Sequence, residues 1–125
     1  MAKIWRVGIL KDSSKLILGL HGLDNAFRGL PDVDVVAHVD SNTDNLAAKL
    51  DASGAKRHYS DYIEMLDKEK PDIVVLCSRH PYEHLAQIRA AAERGCHIYC
   101  EKPLAANLPE ADEVVKIVEA ARIKI

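Results

Sequence analysis

Along this chain, short apolar runs alternate with longer stretches in which apolar residues recur every three or four positions, the pattern of a parallel sheet with crossover helices. The runs are Ile4 to Leu10, Val33 to Val39, Ile73 to Cys77 and Cys96 to Cys100, with a shorter piece at Arg57 to Tyr59. Ile73-Val74-Val75-Leu76-Cys77 has no polar interruption, which suits a central strand covered on both faces. Helical spacing appears at Leu46, Ala47 and Leu50, at Leu85, Ile88 and Ala92, and at Ala111, Val114, Val115 and Val118. Start and stop signals accompany it. Ser41 and Thr43 stand as caps before the first helix, and Asp61-Tyr62-Ile63-Glu64 has capping-box spacing for a helix through Leu66. Pro81 suits a first turn, Gly95 a left-handed stop, and Asn107 with Pro109 and Glu110 opens the last helix. Ile123-Lys124-Ile125 reads as the opening of a further strand.

Composition narrows the class. A length of 125 residues makes one domain, near the lower end for an enzyme that needs both a cofactor site and a substrate site, so the chain reads as part of something larger. A formal net charge of -2 offers no basic surface for nucleic acid. No apolar stretch approaches the roughly 20 residues of a membrane span, and Met1-Ala2-Lys3-Ile4-Trp5 lacks a signal peptide's apolar segment; a cytoplasmic location is expected. The odd count of three cysteines then argues for reduced thiols. On one strand, Cys96 and Cys100 would lie about 13 Å apart, beyond disulfide reach.

Open parallel sheets bind ligands beyond the carboxyl ends of their strands. Here those ends supply Lys11 to Ser14, Asp40, Ser78 to His84, and Glu101 to Pro103. Two roles fit Asp40: accepting hydrogen bonds from an adenosine ribose, which favours NAD over NADP, or capping the helix that follows. Ser41 belongs to the same candidate cofactor site. The loop Lys11-Asp12-Ser13-Ser14-Lys15-Leu16 contains no glycine, although a dinucleotide turn uses glycines to bring backbone amides to the pyrophosphate. Ser13, Ser14 and Lys15 offer side-chain donors to an anion instead, or the segment is a surface loop. Gly19-Leu20-His21-Gly22 is an alternative, displaced phosphate turn, with Gly22 standing 18 residues before Asp40. His84, at a helix start, reads either as a neutral imidazole bonded to a neighbouring loop or as a site residue. Pro103 biases Lys102 toward an extended backbone that projects its ammonium from the rim, where Glu101 can orient it. His80, His84 and His97 lack metal-ligand spacing, so no metal is expected.

Taken together, Arg6-Val7-Gly8-Ile9, Val35 to Asp40, Tyr62-Ile63-Glu64-Met65-Leu66, Lys70 to Cys77, Ala91-Ala92-Glu93-Arg94-Gly95 and Glu101-Lys102-Pro103-Leu104-Ala105 resemble the amino-terminal domain of the Gfo/Idh/MocA oxidoreductases, the glucose-fructose oxidoreductase and inositol dehydrogenase group. The resemblance implies a three-layer, Rossmann-type, doubly wound parallel α/β sheet spanning 1–125 as an NAD(P)-binding domain, with the carboxyl-terminal substrate domain absent. It implies a nicotinamide-dependent dehydrogenase of sugars, cyclitols or related polyols, with NAD as cofactor and no turnover by this chain alone. Asp40 matches the ribose-binding acid. Ser78 and His84 match the loop and helix start on the nicotinamide side, and Glu101 and Lys102 match the motif whose lysine contacts cofactor and substrate, making Lys102 the expected catalytic residue. The family carries glycines where this chain has Lys11, Ser13 and Leu16. A non-catalytic binding or assembly module is therefore the rival expectation. A homodimer is expected through the strand edge that Ile123 to Ile125 would leave bare.

Overall fold

The computed structural model describes residues 2–15 and 22–125. The described residues form five strands, β1 (Trp5–Leu10), β2 (Val33–Val39), β3 (Arg57–Tyr59), β4 (Ile73–Leu76) and β5 (His97–Cys100), and four α-helices, α1 (Leu46–Ser53), α2 (Tyr62–Glu69), α3 (His84–Glu93) and α4 (Leu108–Ala121), which follow β2, β3, β4 and β5 in turn. All pairings are parallel and the order across the sheet is β3-β2-β1-β4-β5. That order places the chain reversal between β1 and β4, where open α/β sheets form their ligand crevice.

Local signals account for most boundaries. The Asp61 carboxylate accepts the N–H groups of Ile63 and Glu64 and starts α2; Asn107 accepts that of Glu110 and starts α4. Gly95 turns the chain after α3 with φ 72°. The start of α1 departs from expectation, because neither Ser41 nor Thr43 caps it. Its N-cap is Asn45 with φ 54°, after a turn in which Asn42 donates its amide to Asp40 and accepts that of Asp44.

Each sheet face carries its own core, giving three layers. On one face Gly8, Leu10, Val74, Leu76 and Ile98 meet α2, α3 and α4 through Met65, Leu66, Ile88 and Val114. On the other, Val7, Ile9, Val35 and Val75 meet Leu23, Phe27 and Ala55. Gly8 makes room for Met65 rather than for a turn: a Cβ there would lie 2.8 Å from the Met65 thioether, which would have to shift.

The faces do not follow simple alternation along β2. Val7 pairs with Val35 but Gly8 with Ala37, so Val36 is an extra residue, a bulge. Beyond it the parity inverts: Ala37 and Val39 turn to the helical face of α2, while His38, opposite Ile9, turns to the other. Asp40, two residues past His38, shares the latter side.

The amino-terminal ends of the strands are tied by Glu69, 5% exposed, which pairs with Arg6, Arg57 and the Tyr59 hydroxyl. The Arg57 guanidinium, with Tyr59, holds its carboxyl down at about 2 against the opposing effect of burial. At the far edge, the Ile98 N–H donates to the Lys124 carbonyl at 2.9 Å and the Lys124 N–H to His97 Nδ1 at 3.0 Å. The β5 edge is thus met by the chain's own tail, in which Ile123 is buried while Lys124 and Ile125 stay exposed; residues 123–125 do not form the strand that the sequence suggests.

Candidate functional site

One further ladder bond extends each strand pair at its carboxyl end: Lys11 N–H to Val39, Asp40 N–H to Tyr59, Cys77 N–H to Leu10 and Glu101 N–H to Leu76. These bonds set the four tips side by side on one rim. Asp40 and Glu101 extend β2 and β5, three strand spacings or about 14 Å apart.

A cavity of about 330 Å³ opens on this rim between the ends of β1, β2 and β4 and the start of α2. Leu10, Val39, Tyr62 and Ile63 make its less polar wall; Ser41, Ser60 and Ser78 supply hydroxyls; Lys11, Asp12, Asp61, Glu83 and Gln87 complete it. Of the sequence-derived site residues, Ser41 and Ser78 line the cavity. Asp40, Ser13, His84, Glu101 and Lys102 lie outside its lining.

Asp40 is fully buried, and both its oxygens are engaged within the chain. Ser13 donates its N–H at 3.1 Å and its hydroxyl at 2.6 Å, Asn42 its N–H at 3.0 Å, and the Lys49 ammonium lies at 3.2 Å. Burial raises its carboxyl, but these donors outweigh burial and hold it below the usual carboxylate range. Lys49, which also donates to the Ser13 hydroxyl and the Asn42 carbonyl, carries no sequence signal; helical spacing alone brings it back over β2.

His84 is fully buried between two loops. Its Nε2 lies 2.7 Å from the Ser78 carbonyl and its Nδ1 3.0 Å from that of Leu104, with Cys100 Sγ 3.5 Å from Nδ1. The imidazole therefore lies between the loop after β4 and the loop after β5, within bonding distance of a carbonyl on each. Burial pushes the Cys100 thiol up to about 12, which keeps it an unreactive thiol at neutral pH. Glu101 is 8% exposed and its Oε1 accepts the Lys102 N–H at 2.9 Å, while the Lys102 side chain is exposed.

Gly19, Leu20 and His21 of the alternative phosphate turn lie outside the described residues; Gly22 precedes a short 3-10 turn, Leu23–Asn25. Among the described residues no three His, Cys, Asp or Glu side chains are grouped to hold a metal ion, and no helix is long and apolar enough to cross a membrane. All three cysteines are free thiols.

A parallel sheet in this order, with a cavity where its direction of winding reverses, defines a nucleotide-binding α/β domain. The family model described as "Oxidoreductase family, NAD-binding Rossmann fold" matches residues 17–124, and the chain belongs to this Gfo/Idh/MocA family. Its match begins after β1 and the Lys11 to Lys15 loop. Relatives include a D-apiose dehydrogenase of Paraburkholderia graminis, 31% identical over 101 residues, covering 81% of this chain and 27% of that protein. A D-glucoside 3-dehydrogenase of Escherichia coli is 38% identical over 85 residues, covering 66% of this chain and 23% of that protein. A solved structure, a probable dehydrogenase of Thermotoga maritima, superposes with a TM-score of 0.77 at 27% identity, over 94% of this chain and 34% of that one. The chain thus spans about a quarter to a third of the length of these relatives.

The implied dinucleotide fits this rim unevenly. A nucleoside suits the cavity, with its Leu10, Val39 and Ile63 wall and the Ser41 and Ser78 hydroxyls. Among the described residues of the turn after β1, the amides of Ser13, Ser14 and Lys15 are not free for a pyrophosphate. The Ser13 amide is bonded to Asp40, the Ser14 amide to the Asp12 carboxylate and the Lys15 amide to the Asp12 carbonyl.

Proposed function

We propose that residues 1–125 form the nucleotide-binding domain of a nicotinamide-dependent oxidoreductase acting on sugars, cyclitols or related polyols, and that a second domain is needed for turnover. The carrying observation is the cavity at the β1/β4 reversal, flanked on the same rim by Glu101 and Lys102. The sugar dehydrogenase names of the two relatives support the substrate class. In this reading NAD is the cofactor and Ser41 and Ser78 contact its nucleoside end. Asp40 and Ser13 support the ribose side, His84 joins the two loops of the nicotinamide side, and Lys102, following Glu101 at the tip of β5, meets the substrate.

A homodimeric, cytoplasmic protein with no nucleic-acid partner completes the proposal; sedimentation showing only monomer at high concentration would count against the dimer. The main test is turnover. The protein carrying the second domain, offered sugars and cyclitols with NAD or NADP, is expected to reduce the cofactor, and residues 1–125 alone are not. A folded, two-domain protein that binds neither cofactor would overturn the reading. The spent donors of the β1 loop favour the rival, a binding or assembly module without turnover, which that same outcome would support.

A further inference from the structure

We infer that Asp12 is a resident anion of the β1 loop: its carboxylate takes the donors that a pyrophosphate needs, so the folded site holds an adenosine moiety and gains little from attached phosphates. The inference rests on the nucleoside reading of the cavity and adds a residue that sets which ligands the site prefers.

Loops that bind phosphate do so with free amides, hydroxyls and ammonium groups, and with no side chain between backbone and ligand. Here a carboxylate stands among those groups. Asp12 accepts the Ser14 N–H at 3.1 Å, the Ser14 hydroxyl, the Ser41 hydroxyl at 3.3 Å, and lies 3.6 Å from the Lys15 ammonium. These are the kinds of contact that a phosphate would make. Lys15 also pairs with Glu83, and Lys11 with Asp24 at 2.9 Å, so both lysines of the loop are neutralised within the chain. Burial acts against the Asp12 charge, but Ser14, Lys15 and Ser41 outweigh it and keep the carboxyl below its ordinary range. Because Asp12 lines the cavity, an entering phosphate would both lose its donors and face a like charge.

Calorimetric titration of the folded chain with adenosine and with NADH tests this, alongside Asp12→Asn, which removes the charge and keeps an acceptor for Ser14. Wild type is expected to bind NADH within about threefold of adenosine, whereas Asp12→Asn binds NADH at least about tenfold more tightly than it binds adenosine. Asp12→Ser gives the same ratio if charge is the cause, and circular dichroism checks that each variant is folded. Wild type binding NADH about tenfold more tightly than adenosine, or a ratio unmoved by both substitutions, overturns the role of Asp12 while leaving the nucleoside site standing. Adenosine heat absent from every folded protein overturns the nucleoside site itself, and this inference with it.

Discussion

Ser13 gives both its backbone N–H and its hydroxyl to one carboxylate, that of Asp40, at 3.1 and 2.6 Å. With Lys49 at 3.2 Å on the same acid, the loop after β1 and helix α1 are both anchored to the tip of β2. Asp40→Asn should therefore cost stability before it touches any ligand, because it leaves a mostly buried ammonium without its countercharge. The expected loss is about 2–4 kcal/mol, read as a lower urea midpoint at constant slope. A midpoint equal to that of wild type would show that Asp40 is not a structural anchor.

His84 occupies a comparable position between Ser78 and Leu104. His84→Phe keeps the ring volume but removes the nitrogen contacts, leaving both carbonyls without them. We expect a loss of about 1–3 kcal/mol and faster amide exchange confined to the loops after β4 and β5. Uniform acceleration across the sheet would mean that His84 supports the whole core and not the two loops.

His38 is 1% exposed, stacks on His58 at a centroid distance of 6.4 Å, and has no hydrogen-bond partner for either ring nitrogen. Burial is the main cause that lowers its pKa from 6.5 to about 4, with Asp40 and Asp24 opposing and Lys11 and His58 adding to the shift. In that interval the unfolded chain takes up a proton that the folded chain refuses. Its contribution to stability is thus complete above about pH 6.5 and falls as the pH drops toward about 4, by about 2 kcal/mol between pH 7 and 5. His38→Leu should flatten this part of the pH–stability curve; an unaltered slope in urea titrations at the two pH values would refute the assignment.

Lys102 is exposed, and its amide, not its ammonium, is held by Glu101. Lys102→Met should leave the thermal midpoint of the chain unchanged. In the two-domain protein it should lower kcat about 100-fold or more on the best sugar or polyol substrate, the range for removing a group that assists proton transfer. A drop confined to KM would assign Lys102 to substrate binding alone.

Much of this architecture was legible in the order of residues, for a local reason. Apolar runs and helical spacing report which faces are buried, and the strands at Val33–Val39 and Arg57–Tyr59 fall where those runs fall. Asp61, Gly95 and Asn107 act on neighbours two to four residues away, so their effect is written beside them. The start of α1 is not written locally, because Asp40 and Asn42, not Ser41 or Thr43, organise the preceding turn.

The chain by itself determined the layered parallel fold, the family, and the strand tips that carry Asp40, Ser78 and Lys102, since periodicity and strand-end position require no knowledge of partners. Tertiary structure alone decided what those groups touch. One extra residue at Val36, visible only against the register of β1, inverts the parity of β2 and brings Asp40 to Ser13. Lys49 and Asp12 acquired their roles in the same way. A carboxylate's neighbours across a sheet are set by register and crossover, and these are properties of paired strands rather than of any one segment.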